Sequence, residues 1–368
     1  MPDKTAIRAE AEALLAGFRR RGAQVVETDI LQPAETLLDL YGEDIRARAY
    51  VTADPLRGEL MLRPDFTVPV VQMHMTHGAE PARYAYMGEV FRRQEHRGPR
   101  ASEYMQVGFE IFARDDPAAA DAEVFAALAE PLEPLGLRKV IGDIGLLKAA
   151  VAGLSTSAAR RGALLRHIWR PMRFRTLLDR FGGRAPLPRA RTEMLERLAQ
   201  GDVAAQIDAA GPVIGKRSTD EIAARAAALL ADAQEPPIPE RELSAIGALM
   251  DLRGPAPEAP ERLDRLARDL PAIATAAAGL KARLDALAAR GIDPAALEFE
   301  ASYGRTTMEY YDGFVFGLIA PGRALPPVAT GGRYDALTAV LGQDGAIPAV
   351  GGVLRPGVVT ALKAEGAP

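Results

Sequence analysis

The apolar positions of the chain follow helical spacing in some segments and alternate with polar positions in others. Ile7, Leu14 and Phe18 fall on one face of a helix predicted over residues 5–22. Residues 297–303 alternate strictly, as a half-buried strand does, and residues 118–135 have helical spacing. Further strands are predicted over residues 25–30, 60–72 (with a break at Pro64), 83–92, 104–113, 139–142, 314–316 and 347–354.

The middle of the chain, residues 146–290, has a different pattern. Alanine, leucine and arginine recur there at helical spacing, and proline-rich linkers at 235–240 and 254–260 separate the helices. Strands are predicted only before and after this stretch. We therefore predict an α+β protein whose core domain, residues 1–145 and 291–368, is split by an all-helical insertion.

Composition and charge exclude several classes of protein. The chain has no cysteine, which rules out disulfide scaffolds, thiol nucleophiles and cysteine-ligated zinc. It has only four histidines, so neither a metal site nor a histidine triad is expected. The net charge of −4 argues against a broadly basic nucleic-acid surface. No apolar stretch is long enough for a signal-peptide core or a membrane span, so we expect a cytoplasmic protein.

Polar side chains on one predicted strand form the first candidate site. On the strand at 104–113, Gln106, Gly108 and Glu110 point to the face opposite the apolar positions. A carboxylate in the middle of a sheet is costly unless something pairs with it. This face is therefore a solvated surface, the place of an internal ion pair, or one wall of a pocket for a small polar cation.

Asp65 and Thr67 repeat the same spacing together with Arg63. A carboxylate and a hydroxyl both accept hydrogen bonds, so the two side chains suit an ammonium group. The alternative is a salt bridge between Arg63 and Asp65 at the end of a strand.

Three other features carry candidate chemistry. Gly331 and Gly332 precede an amphipathic segment that starts at Tyr334, which suits either a carboxylate or phosphate at a helix N-terminus or a plain turn. Tyr310 and Tyr311 are either ligand contacts or part of the core. A basic cluster is either a solvated surface or a phosphate clamp, and consists of Arg92, Arg93, Arg97 and Arg100.

Taken in order, these segments resemble the catalytic core of a class II aminoacyl-tRNA synthetase of the histidyl type. The resemblance runs from residue 6 to about 145 and from 296 to 358. It implies a class II synthetase-like antiparallel sheet flanked by helices. The matching motifs are the amino-acid-binding strand at 62–67 (LRPDFT), the second class motif at 86–93 (YMGEVFRR) and 106–110 (QVGFE), two histidine-specific motifs at 309–316 (EYYDGFVF) and 331–335 (GGRYD), and the start of the third class motif at 348–351 (PAVG).

The chain departs from the synthetase pattern at the positions that would handle ATP. Gln94 stands where a glutamate is expected, and Val358 stands where the third-motif arginine is expected, with Arg355 three positions away. Thr306 stands where an arginine that assists adenylation is expected; Arg305 is adjacent to it, so a local realignment would let Arg305 replace the expected arginine. We also expect no anticodon-binding domain of the synthetase type. We therefore expect no catalytic residue, cofactor or metal.

This combination resembles the regulatory-subunit family of ATP phosphoribosyltransferase. The resemblance implies a hetero-oligomer with a short-form catalytic subunit, typically four plus four, and a self-dimer through the synthetase-like core. It also implies the first step of histidine biosynthesis, with histidine as the feedback effector. Neither nucleic acid nor a membrane is expected as a partner. A histidine-activating adenylating enzyme stays open as an alternative, as does a free-standing histidine sensor or tRNA-mimicking module.

The resemblance also implies a histidine-like pocket. Asp65 and Thr67 would hold the ligand ammonium group, and Arg92 would face its carboxylate. Glu110 and Tyr311 would bind the imidazole. The full set of expected pocket residues is Asp65, Thr67, Arg92, Gln106, Glu110, Tyr310, Tyr311 and Tyr334.

Overall fold

The computed structural model describes residues 3–35, 38, 48–94, 101–212, 215–305, 310–342 and 345–366. Of the residues named above, Arg97, Arg100 and Thr306 lie outside the described ranges. Within those ranges, no helix combines the length and the apolar character that crossing a bilayer requires.

Most predicted elements are present. The strands are β1 (Gln24–Val25), β2 (Leu31–Pro33), β3 (Val51–Asp54), β4 (Gly58–Leu62), β5 (Ala82–Phe91), β6 (Glu103–Phe112), β7 (Arg138–Asp143), β8 (Arg253–Pro255), β9 (Leu297–Glu300), β10 (Phe314–Ile319), β11 (Ala329–Arg333) and β12 (Ala349–Leu354). The α-helices are α1 (Lys4–Arg20), α2 (Thr67–His77), α3 (Pro117–Ala129), α4 (Ile144–Ala152), α5 (Ala158–Arg166), α6 (Pro171–Phe181), α7 (Arg189–Gln200), α8 (Val203–Ala209), α9 (Thr219–Gln234), α10 (Glu240–Met250), α11 (Ala259–Leu266), α12 (Ala274–Ala289), α13 (Asp335–Leu341) and α14 (Pro356–Ala364).

The strands form a large sheet and a small one. In the described part of the chain, the large sheet has nine strands in the order β1-β5-β6-β12-β11-β10-β7-β9-β8, and the small sheet has the order β2-β4-β3. Most neighbours are antiparallel, but β1 pairs with β5 and β7 pairs with β9 in parallel, each across a long connection. The α+β class is confirmed, and the sheet is mixed rather than strictly antiparallel.

Strands β5 and β6 are the second and third strands of the large sheet, counted from the β1 edge. They pair over their whole length in antiparallel register. Val107, Phe109 and Ile111 of β6 are buried, and Phe18 of α1 stacks on Phe109 with ring centroids 5.2 Å apart. The apolar face predicted for this strand therefore packs on a helix, and its other face is left for the candidate site.

The strand predicted over 60–72 is wrong beyond Leu62. Strand β4 ends there, and helix α2 begins at Thr67, three residues after Pro64. The valines at 68, 70 and 71 are β-branched and favour strands by propensity, yet they are buried in the helix. Burial against the core outweighs their weak local preference.

The middle of the chain is helical except for one short strand. Strand β8 pairs with β9 at the edge of the large sheet, so the expectation of an all-helical stretch is wrong at these three residues. Three residues are too few for a periodic signal, and an edge strand tolerates the proline that ends this one. That residues 146–290 form a domain of their own stays a prediction.

A network of buried charges joins the last helix of this stretch, α12, to the core. Asp121 of α3 accepts hydrogen bonds from Arg283 of α12 at 2.7 Å and from Arg333 at 2.7 and 3.0 Å. Arg283 also donates to Asp143 at 3.0 Å. All four side chains are buried. Two carboxylates and two guanidinium groups balance in charge, as burial of ions requires.

Candidate ligand-binding site

Strand register assembles the candidate site on three neighbouring inner strands of the large sheet. Strand β6 lies between β5 and β12. Gly108 is opposite Tyr86 of β5, and Glu110 is opposite Gly351 of β12. Because opposite residues of paired strands point to the same face, these positions surround one side chain, that of Glu110.

Glu110 is the buried centre of the site, with 1% of its surface exposed. Its Oε1 accepts hydrogen bonds from the hydroxyls of Tyr86 at 2.7 Å and Thr67 at 3.2 Å, and its Oε2 accepts from Tyr334 at 2.6 Å. Burial raises the pKa of Glu110 to about 7, although the three hydrogen bonds lower it; the charge of Asp65 raises it further. Hydroxyl groups therefore hold this carboxylate, and the solvated-surface and ion-pair interpretations of this strand face are wrong.

Two glycines provide the space for this arrangement. A β-carbon at Gly351 would overlap Oε2 of Glu110, and one at Gly108 would overlap the ring of Tyr86. Neither glycine has a positive φ, so space and not backbone conformation requires them. The gap that the sequence leaves at Gly108 is filled by Tyr86, whose hydroxyl reaches the carboxylate.

The paired glycines 331 and 332 are not in a turn. They lie inside strand β11, and helix α13 begins only at Asp335. A β-carbon at Gly331 would overlap the ring of Phe316, and one at Gly332 would press on Tyr311. The close approach that these glycines allow is thus made by neighbouring aromatic rings within the protein.

Three tyrosines line one side of the site. The ring of Tyr310 lies 4.8 Å from that of Tyr311 and 6.0 Å from that of Tyr334, both in edge-on geometry. The hydroxyl of Tyr310 donates to Thr67 Oγ1 at 3.4 Å. Burial raises the pKa of Tyr311, and the charge of Glu110 raises it further, so this hydroxyl stays protonated. Tyr311 and Tyr334 belong to the core, whereas Tyr310 is half-buried.

Asp65 lies in the short segment between β4 and α2 and is buried, as is Thr67 at the start of the helix. Arg63, which has the same spacing in the sequence, does not join Asp65 and Thr67 in the site. Its guanidinium donates to the carbonyl of Thr28 at 2.6 Å and to that of Glu89 at 2.9 Å, so its hydrogen bonds hold the backbone around β5 in place.

Gln106 lies on the same face of β6 as Glu110, four residues earlier, which separates their α-carbons by about 13 Å. It is fully buried. Among the described residues, neither atom of its amide group has a hydrogen-bond partner. An unsatisfied buried group of this kind costs about 1–3 kcal/mol, which a ligand with both a donor and an acceptor would offset.

Two arginines lie beside the site. Arg92, directly after β5, donates from Nε to the carbonyl of Pro64 at 2.8 Å. Arg355, directly after β12, donates to the carbonyl of Pro327 at 2.6 Å and to Thr330 Oγ1 at 3.3 Å. Burial lowers the pKa of Arg355, and the nearby charge of Arg92 lowers it further. Arg355 thus reaches the site although it lies three positions from the expected third-motif arginine.

Arg305 does not reach the site. Its side chain is buried, its Nε donates to the carbonyl of Ile168 at 2.8 Å, and its guanidinium carbon lies 5.0 Å from the ring centroid of Phe174. Burial lowers its pKa to about 10. The idea that Arg305 replaces the arginine expected at position 306 is wrong, because contacts with the helical stretch hold its side chain.

The raised pKa of Glu110 predicts a pH dependence of stability. This carboxyl group has a pKa of 4.5 when unperturbed and about 7 in the folded protein, so its favourable contribution is complete below pH 4.5 and is lost as the pH rises to 7. The loss amounts to about 3 kcal/mol. Urea denaturation at about pH 5 and pH 8 would show wild type losing stability relative to Glu110→Gln, which does not titrate. A difference that is the same at both pH values would contradict this prediction.

Tyr86, Gly351 and Arg355 belong to the site but were not among the predicted pocket residues. Tyr86 and Gly351 are inside matching motifs, which is the signal the sequence offers. Their contact with Glu110 depends on the register of three strands, and single-strand periodicity does not specify that register.

The chain matches known proteins along most of its length. The family described as histidyl-tRNA synthetase matches residues 2–235 and 216–357. The ATP phosphoribosyltransferase regulatory subunit of Agrobacterium fabrum is 34% identical over 355 residues, which cover 93% of each chain. That of Rhizobium rhizogenes is 32% identical over 360 residues, covering 92% of this chain and 93% of its own. The chain belongs to the family of ATP phosphoribosyltransferase regulatory subunits.

Solved structures show which fold this chain has. A protein from Bacillus halodurans, described as an ATP phosphoribosyltransferase regulatory subunit/histidyl-tRNA synthetase, has a TM-score of 0.67 at 18% identity over 98% of this chain and 81% of its own. A histidyl-tRNA synthetase from Nostoc sp. PCC 7120 has a TM-score of 0.64 at 16% identity over 99% of this chain and 73% of its own. The class II synthetase-like fold is therefore confirmed.

Proposed function

We propose that this chain is the histidine-binding regulatory subunit of an ATP phosphoribosyltransferase and acts in histidine biosynthesis with a separate catalytic subunit. Family membership supports the regulatory role. The observation that best supports histidine as the ligand is the buried carboxylate of Glu110, which accepts hydrogen bonds from three hydroxyl groups. Occupancy of this site would inhibit the catalytic subunit through a coupling free energy between the two sites.

The donors and acceptors of the site fit histidine. A carboxylate offers about four acceptor positions, and Glu110 uses three of them, which leaves one for an imidazole N–H. A protonated imidazole at this position would lower the pKa of Glu110. Gln106 and Asp65 suit an ammonium group, and Thr67, whose hydroxyl donates to Glu110, has an oxygen that can also accept from it. Arg92 would then face the ligand carboxylate.

Replacing Glu110 by glutamine is expected to weaken histidine binding about tenfold or more while the fold is kept. The amide has nearly the shape of the carboxylate, but it turns an NH2 donor toward hydroxyl donors and removes the charge that favours an imidazolium. Titration calorimetry on the complex measures the dissociation constant. Inhibition by histidine is expected to weaken in parallel, in this variant and in Glu110→Ala.

Glu103→Gln is the matched control, because Glu103 is on the same strand with an exposed carboxylate. Its histidine affinity is expected to equal that of wild type. Folded Glu110 variants with unchanged inhibition would place the effector elsewhere, for example at the subunit interface. Failure of histidine to bind either the chain or the complex would remove the effector from the proposal.

A histidine-activating enzyme is the second candidate, and the neighbouring guanidinium groups of Arg92 and Arg355 favour it. Activation needs fixed cations to stabilise charge that develops on the α-phosphate of ATP. We prefer the regulatory role because Gln94 and Val358 replace charged residues of the ATP-handling motifs. Pyrophosphate exchange with histidine and ATP separates the two functions: robust exchange by the chain alone would overturn the non-catalytic role.

Co-purification tests the partner. The tagged chain is expected to retain a short-form ATP phosphoribosyltransferase catalytic subunit as a hetero-oligomer, whereas a free-standing histidine sensor would elute without it. Self-association through the synthetase-like core and a cytoplasmic location stay predictions of this proposal.

A further inference from the structure

A run of cations without acidic residues lies at the start of the helical stretch. Residues 144–178 include one lysine and six arginines and neither aspartate nor glutamate, in a chain whose net charge is −4. Some of these arginines have acidic partners elsewhere: Arg160 donates to Asp232 at 2.7 Å, and Arg175 donates to Asp251 at 3.0 Å. Two exposed arginines at the turn between α5 and α6, Arg166 and Arg173, are arranged differently.

Arg166, Arg170 and Arg173 surround this turn. Arg166 ends α5, Arg170 precedes α6, and Arg173 lies in the first turn of α6. The three arginines flank His167 within eight residues of chain, and their charges, together with burial, lower the pKa of its imidazole. Arg166 and Arg173 are exposed, and within the described part of the chain they form no ion pair.

This arrangement opposes the stability of the isolated chain. Like charges repel one another, and a cation in the first turn of a helix, as Arg173 is in α6, is unfavourable by about 0.3–1 kcal/mol, whereas Arg166 at the end of α5 is favourably placed. A local conflict of this kind is typical of a surface that has a function. An acidic counterpart would relieve it.

The turn is anchored and also carries apolar surface. Ile168 is buried, and its carbonyl accepts a hydrogen bond from the buried Arg305 at 2.8 Å. Beside it in sequence are Met172, which is 79% exposed, and Trp169, the single tryptophan of the chain, which is half-buried. Tryptophan, methionine and arginine are enriched at protein–protein interfaces.

We propose that this basic turn, residues 166–173, docks on an acidic surface of a partner protein, which in the proposed complex is the catalytic subunit. The identity of the partner rests on the proposed function; the basic and apolar character of the turn does not. Exposed apolar surface among the arginines fits a protein partner. The negative net charge of the chain disfavours a nucleic acid.

Charge reversal at the two exposed arginines tests the proposal. The full-length Arg166→Glu/Arg173→Glu variant is expected to bind the catalytic subunit about tenfold or more weakly than wild type. Wild-type affinity is expected to fall between about 50 and 300 mM salt, and the affinity of the variant is expected to change little. Surface plasmon resonance measures both, and thermal unfolding checks that each variant is folded.

Two comparisons isolate the cause. Arg225→Glu/Arg268→Glu makes the same change in net charge at exposed positions elsewhere in the helical stretch, and it should bind like wild type. Met172→Ala keeps every charge, and it is expected to weaken binding because it removes the exposed apolar side chain.

The outcomes separate this proposal from the proposed function. A complex that forms with wild type and equally with Arg166→Glu/Arg173→Glu overturns the docking surface and leaves the regulatory role standing. A wild-type chain that forms no complex overturns both. Transfer RNA binding that the arginine variant loses, with complex formation unchanged, would assign the turn to nucleic acid and overturn the protein partner.

Discussion

Replacing Asp121 by alanine is expected to lower the free energy of unfolding by about 3–5 kcal/mol. Its carboxylate accepts three hydrogen bonds from the buried side chains of Arg283 and Arg333. Asp143 and Asp335 remain in the variant, but each accepts only one hydrogen bond from these arginines. The variant loses one of three carboxylates and three of the five hydrogen bonds that these carboxylates accept from the two guanidinium groups, which stay out of contact with water.

Urea denaturation followed by circular dichroism measures this effect. Glu193→Ala is the control, because the Arg189–Glu193 pair is exposed with i,i+4 spacing and pairs of that kind contribute about 0.3–0.5 kcal/mol. Because Arg283 is on α12 and Asp121 is on α3, the Asp121 variant is also expected to show faster amide hydrogen exchange in α12. Equally small losses in both variants would show that the buried network contributes no more than a surface pair.

Gly351→Ala is expected to abolish histidine binding and to lower the free energy of unfolding by about 1–3 kcal/mol or more. The added β-carbon would overlap Oε2 of Glu110, the atom that accepts the hydrogen bond from Tyr334. Strand β12 is paired on both sides, with β6 and β11, so its backbone has no room to withdraw. The carboxylate has to move instead, and its hydrogen bonds are broken.

Titration calorimetry and thermal unfolding together test this prediction. Gly247→Ala is the control, because a β-carbon at that position in helix α10 meets only open space. It should bind histidine normally and be more stable by about 0.5–1 kcal/mol, the usual preference of a helix for alanine. Wild-type histidine affinity in Gly351→Ala would mean that the effector does not bind at Glu110.

The elements that the sequence predicts well are long and regular. Strands β5 and β6 begin and end within one residue of the predicted ranges, 83–92 and 104–113, because the polar run between them separates two long segments rich in aromatic and apolar residues. Helix α2 was missed because its apolar residues are buried in a helix despite their preference for strands. Local propensity is weaker than the core into which a segment packs.

In the candidate site, too, local pattern predicts some features and long-range packing decides the others. Period-two alternation alone places Gln106 and Glu110 on one face of β6, and the structure keeps them there. The partners of the carboxylate come from β5, from the start of α2 and from the residue after β11. Those contacts depend on long-range pairing, which a single sequence does not encode in any local pattern. The position of Arg355 beside Arg92 has the same cause.

The depth of the site has a consequence for timing. Gln106 and Glu110 have almost no exposed surface, and Tyr311 and Tyr334 are buried with them. A ligand therefore enters and leaves only when these side chains move, and concerted opening of this kind takes microseconds to seconds. Slow exit means a long residence time. If histidine binds this deeply, the fraction of subunits occupied would not follow changes in histidine concentration that are shorter than the residence time, and it would reflect the concentration averaged over that time.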